Sequence, residues 1–114
     1  YVHASLRVAE RLSAEGIEAA VLDLRTLAPL DTASVLALAR ATGKVVIVHE
    51  DSRTGGIGES LAALIQEEAF DALDAPVRIV AALDTPVPYS PPLEDAFLPG
   101  EDDIAHAARR LVQY

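Results

Sequence analysis

His49, Glu50 and Asp51 stand in a row at the end of the apolar run Val45-Val46-Ile47-Val48. An imidazole exchanges a proton near neutral pH, and neighbouring carboxylates can hold a cation. The carboxyl end of a buried strand is also where open α/β sheets gather their ligands. The trio therefore has the composition of a general base or a cation site. Its spacing works against zinc, because consecutive residues point to different sides and no second histidine follows at helical spacing. The alternative is structural: polar residues that end a strand and accept hydrogen bonds from the next turn.

Just beyond lies Gly55-Gly56-Ile57-Gly58, ahead of an apolar helical repeat. A helix N-terminus attracts anions, so a phosphate site is one reading. The run matches neither GxGxxG nor a GKS or GKT loop. A tight turn that lets the helix pack close to a sheet is the other reading, and Glu59 in the first helical turn would itself fill an anion position. Ser52, Ser60 and Ser90 lack a Gly-x-Ser-x-Gly setting for nucleophilic hydrolysis. With 0 cysteines there is no disulfide, thiolate metal site or thiol nucleophile, which accords with a cytoplasmic location. His3 and His106 fall on predicted helices as surface or interface residues. Asp23 and Arg25 flank Leu24, where a salt bridge at a strand end is the default.

Asp74 is a different kind of candidate. It sits in the joint Leu73-Asp74-Ala75-Pro76 just past a long helical repeat. A carboxylate after a helix C-terminus gains nothing from the helix dipole, which favours a reason outside the fold over a simple turn.

The elements that must position these groups alternate. Residues 2–14 read as a helix with Val2, Leu6, Ala9 and Leu12 inward, stopped by Gly16. Residues 17–24 read as a strand buried on both faces. Asp31 caps a helix through Ala41, with Gly43 at its end. A second strand spans 44–49, and a long helix carries Ile57, Leu61, Leu64, Ile65 and Leu73. A third strand spans 77–82, and Asp102 or Asp103 begins a last helix with Ile104, Ala107, Ala108 and Leu111 inward. Between them, Pro86, Pro88, Pro91 and Pro92 demand an ordered, extended loop. The order predicts an α/β fold, a three-layer α/β/α sandwich with a mostly parallel sheet. Three parallel strands behind a helix with no parent strand make a poor sheet, so a central strand is expected to be missing from between 17–24 and 44–49.

Composition bounds the rest. A chain of 114 residues with 51% hydrophobic content forms one domain with a real core. Its 18 acidic against 9 basic residues argue against nucleic acid and anionic membranes as partners and leave room for a basic protein. No apolar run approaches the ~20 residues of a membrane span, and no signal peptide opens the chain.

Three blocks together resemble a known family. They are Leu22-Asp23-Leu24-Arg25-Thr26-Leu27-Ala28-Pro29-Leu30-Asp31, then Val46-Ile47-Val48-His49-Glu50-Asp51 with Thr54-Gly55-Gly56-Ile57-Gly58-Glu59, and the tail from Leu73-Asp74-Ala75-Pro76-Val77 through Asp84-Thr85-Pro86-Val87-Pro88-Tyr89 to Leu93-Glu94 and Phe97-Leu98-Pro99. In this order they resemble the C-terminal domain of the beta subunit in thiamine-diphosphate-dependent 2-oxo acid dehydrogenases, which is transketolase-like. The resemblance implies a domain over residues 1–114 that lacks N-terminal strands. The implied parent oxidatively decarboxylates a 2-oxo acid of pyruvate or branched-chain type and passes the acyl group to lipoyl groups. No catalytic, cofactor or metal residue is implied in this chain, because thiamine diphosphate and magnesium are held elsewhere in the parent. The implied partners are the alpha subunit, a second beta subunit and the peripheral subunit-binding domain of the acyltransferase core. By the same resemblance, Asp74 and the carboxylate of Tyr114 are the docking charges for that basic domain. Competing readings are a transketolase or deoxyxylulose-phosphate synthase domain, and a stand-alone small-molecule enzyme using His49.

Overall fold

The amphipathic segment at the start of the chain forms helix α1 (Val2–Ser13), which the computed structural model describes together with every other residue of 1–114. Val8 and Leu12, one turn apart, are its buried positions, while Leu6 is 46% exposed. The inner stripe is thus rotated from the one that the 2, 6, 9, 12 spacing suggests. Asp31 caps helix α2 (Thr32–Thr42), its carboxylate accepting from the Ser34 N–H at 3.0 Å and the Ser34 hydroxyl at 2.6 Å. Gly43 ends that helix at φ +65°, a left-handed position that costs glycine nothing. Strand β1 (Val46–Ser52) follows, then helix α3 (Ile57–Ala69) and a short 3-10 turn at Phe70–Ala72. Strand β2 (Arg78–Ala82), helix α4 (Pro91–Phe97) and helix α5 (Glu101–Val112) complete the chain.

Two expectations about the tail change. Pro91 and Pro92 open α4 instead of extending the loop, since the first helical turn has no use for the missing N–H and suits the fixed φ. The last helix starts one residue before Asp102, at Glu101. Asp103 reaches back to accept from the Gly100 N–H at 2.8 Å.

Strands β1 and β2 pair in parallel, with Val46 opposite Arg78, Ile47 opposite Ile79 and Val48 opposite Val80. Helices α1 and α5 cover one face and α2 and α3 the other, giving the three layers. The core is correspondingly split. Val8, Leu12, Val80, Ile104 and Ala105 cluster on one side; Val35, Ala39, Ile65 and Ala69 cluster on the other.

The strand expected at residues 17–24 does not form. No backbone N–H from Glu18 to Leu24 donates to another backbone group, and Glu18, Ala19, Ala20 and Leu22 are exposed. No strand lies beside it to pair with. Between this segment and β1 lies a cavity of about 670 Å³, walled by Ile17, Ala19, Val21, Val46 and Val48. The Arg78 N–H donates to the Val45 carbonyl at 3.0 Å. In a parallel ladder that turns Ile47 toward β2 and the peptide groups of Val46 and Val48 toward the cavity. The open edge of β1 and the unpaired segment 17–24 therefore face each other across a space where a central strand is expected.

Candidate functional site

β1 delivers His49 to the carboxyl end of the sheet, where the glycine-rich turn begins α3. The imidazole is pressed against that turn. A Cβ on Gly56 would lie 2.9 Å from His49 Cε1, and one on Gly58 would lie 2.8 Å from His49 Cδ2. Both ring nitrogens are buried without a hydrogen-bond partner. A general base must reach the proton it abstracts, and here both ring nitrogens are buried beside the turn. Glu50 and Asp51 are exposed; the Asp51 carboxylate also borders Gly56, 3.5 Å from where its Cβ would stand, and accepts from the adjacent Ser52 N–H at 2.8 Å. His49 itself accepts nothing from the turn, so its structural role is packing, not hydrogen bonding as the sequence suggested.

The anion position of the turn is filled from within. The Glu59 carboxylate accepts from the Gly55 N–H at 3.0 Å, and the Ser52 carbonyl blocks the side of Gly56. A diphosphate group does not fit this cradle. No cluster of three or more His, Asp or Glu side chains gathers to hold a metal ion.

The same end carries an arrangement that sequence reasoning missed. The Asp84 carboxylate accepts from the Thr54 N–H at 2.8 Å and the Thr54 hydroxyl at 2.6 Å. These bonds hold the Asp84 carboxyl below its usual range. They fasten the proline loop after β2 to the glycine turn after β1. The two residues are 30 apart in the chain, and no local spacing signals their pairing.

At the opposite end of the sheet lie the two predicted docking residues. Asp74 is exposed in the joint before β2, and its N–H donates to the Gly43 carbonyl at 2.7 Å. Its side chain lies against Gly43, with Asp74 Cγ 3.0 Å from where a Cβ on that glycine would stand. The carboxylate has no salt-bridge partner, whereas Asp71, three residues earlier, stands 3.8 Å from Arg40. Tyr114 is 63% exposed, and its hydroxyl accepts from Arg78 at 3.4 Å. Asp74 precedes β2 by four residues and Arg78 begins it, so both residues belong to the amino end of β2. Asp23 and Arg25 pair with each other at 2.8 Å, where the sequence suggested neighbours at a strand end as their partners.

Residues 1–104 match the family described as transketolase, C-terminal domain. The chain belongs to this family. The beta subunit of an acetoin:2,6-dichlorophenolindophenol oxidoreductase from Cupriavidus necator is 44% identical over 98% of this chain and 33% of its own length. The 2-oxoisovalerate dehydrogenase subunit beta of Bacillus subtilis is 42% identical over 99% of this chain and 35% of its own. The pyruvate dehydrogenase E1 component subunit beta of Rickettsia felis is 39% identical over 99% and 35%. A solved structure titled as a split gene transketolase, inactive beta4 tetramer, superposes with a TM-score of 0.81 at 30% identity, covering 98% of this chain and 35% of that one. The transketolase C-terminal fold is thus the three-layer arrangement described above. The chain spans about a third of the length of the curated relatives it matches. No helix of this transketolase-family domain is long and apolar enough to cross a membrane.

Proposed function

We propose that this chain is the larger part of the C-terminal domain of a beta subunit in the decarboxylating component of a 2-oxo acid dehydrogenase, and that its work is subunit association and docking. One observation carries the reading. Relatives named for acetoin, 2-oxoisovalerate and pyruvate share this stretch at 39–44% identity. A segment kept so similar under three substrate names suits a task common to all three. The parent would bind thiamine diphosphate and magnesium outside this chain and work in the cytoplasm, beside an alpha subunit and a second beta subunit. The cavity beside β1 supports a domain that continues in a longer polypeptide, whose further strand would satisfy both open edges. The transketolase reading draws on the solved neighbour, at the lower identity of 30%. The burial of both His49 nitrogens without a partner favours the beta-subunit reading over a stand-alone enzyme that uses the ring as its base.

Docking would run through Asp74 and the carboxylate of Tyr114 to the basic peripheral subunit-binding domain of the acyltransferase core. An exposed carboxylate without an internal partner is free to meet an arginine or lysine. The test is binding of that isolated domain to the intact beta subunit at low and moderate salt. Asp74→Lys is expected to weaken binding roughly tenfold or more, about 1.4 kcal/mol, and residues added after Tyr114 are expected to weaken it as well. Unchanged affinity in both cases would remove the docking assignment.

A further inference from the structure

The ladder fixes which peptide groups of β2 face away from β1. Arg78, Val80 and Ala82 turn inward, the last accepting from the Arg53 N–H at 3.2 Å. Ile79 and Ala81 therefore turn their N–H and C=O groups outward, along the free edge of the sheet. Beside that edge runs a cleft of about 410 Å³, walled by Phe97, Leu98, Pro99 and Ala107. Unpaired peptide groups along a strand edge are a template for strand addition, although Asp103 and His106 also line this cleft.

One side chain interrupts the template. Arg53, in the turn after β1, swings across β2 and donates from Nη1 to the Ile79 carbonyl at 2.9 Å. Higher on the same edge, the Leu83 N–H donates to the Phe97 carbonyl at 3.4 Å, closing the strand end with the protein's own loop. The outer edge of β1, on the other side of the sheet, is treated differently. The facing peptide groups of Val46 and Val48 carry no such cap and are walled by apolar side chains.

We infer that Arg53 is an edge guard: by occupying the outward carbonyl of Ile79 it keeps β2 from pairing with β2 of a second copy of this chain. A charged side chain across an edge blocks pairing in two ways. It takes the acceptor that an incoming N–H needs, and it sets two guanidinium groups close together as two such edges approach.

The test uses the full 114-residue chain with Arg53→Ala, and Arg53→Gln as the second variant should the first fail to fold. Sedimentation equilibrium reads the association constant, and amide hydrogen exchange reads the outward groups of Ile79 and Ala81. Loss of the guard is expected to tighten self-association roughly tenfold, the worth of about one net hydrogen bond. It should also slow exchange at Ile79 and Ala81 as concentration rises, while the parent sequence stays fast there. Association through the cavity beside β1 would slow Val46 and Val48 instead, so the two faces are told apart. Unchanged association in the folded variant, or tighter association that leaves Ile79 and Ala81 fast, would overturn the inference.

Discussion

The imidazole of His49 occupies the space in which a side chain on Gly58 would begin. A Cβ there would meet His49 Cδ2 at 2.8 Å and Ile79 Cγ2 at 3.1 Å. The glycine is needed for closeness, not for an unusual φ: helix α3 approaches the sheet near enough that ring and helix backbone touch.

Gly58→Ala should therefore destabilise the domain by about 1–3 kcal/mol, the usual cost of forcing extra volume into a packed contact. Removing the ring should restore most of it, so Gly58→Ala combined with His49→Ala should be more stable than the sum of the single losses allows. Urea unfolding of the four chains measures the coupling. Additive losses would mean that the ring and the glycine do not oppose each other.

His49→Ala should leave chemistry largely intact. In a reconstituted parent enzyme, decarboxylation is expected to stay within roughly tenfold, or about 1.4 kcal/mol of barrier. Steady-state turnover with the variant folded decides this. A thousandfold loss would return His49 to the catalytic set and revive the small-molecule enzyme reading.

Much of this was legible in the sequence because the signals are local. Asp31 three residues ahead of Ser34, and Gly43 after an apolar repeat, announce a cap and a left-handed stop that a helix requires wherever it packs. Counting helices against strands suggested a gap beside β1, and a cavity lies there. Residues 17–24 misled for the same reason. Their Val, Ile and Leu content is that of a buried parallel strand, but a strand exists only when paired, and no strand lies beside these residues. The site was harder to read. Thr54 with Asp84, Gly43 with Asp74, and Arg53 with Ile79 are contacts between residues far apart in the chain, set by how the elements stack. Pro91 and Pro92 failed by a rule applied too broadly, because a proline that breaks a helix interior begins one well.

Acid should loosen the proline loop before it unfolds the domain. Thr54 holds the Asp84 carboxyl below its ordinary value, and Ser34 does the same for Asp31. A carboxyl whose folded value is depressed stabilises the fold above its unfolded value, near 3.9, and loses that contribution as pH falls through the folded value. Both groups are solvent-exposed, so the effect is modest. Asp84→Asn should be less stable than the parent sequence near neutral pH, with the difference shrinking below about pH 4. Thermal unfolding of both chains across that range checks the sign. A gap that widens in acid would mean that the Thr54 hydrogen bonds do not favour the charged form.

Gly43 should matter to docking through Asp74. At φ +65° the glycine already sits where other residues are strained, and the Asp74 side chain lies where its Cβ would go. Gly43→Ala should cost about 1–2 kcal/mol from the left-handed backbone alone. It should also push the Asp74 carboxylate off its place, because the Asp74 N–H remains tied to the Gly43 carbonyl at 2.7 Å and the side chain must do the moving. In the intact beta subunit the substitution is expected to weaken binding of the peripheral subunit-binding domain several-fold. With Asp74→Ala already present, Gly43→Ala should cost stability again but no further affinity, since no carboxylate is left to displace. Titration of the four variants with the isolated binding domain, alongside their unfolding curves, separates the two effects. An equal loss of affinity in both backgrounds would place the role of Gly43 in the fold alone and leave Asp74 as a turn residue whose position the partner does not read.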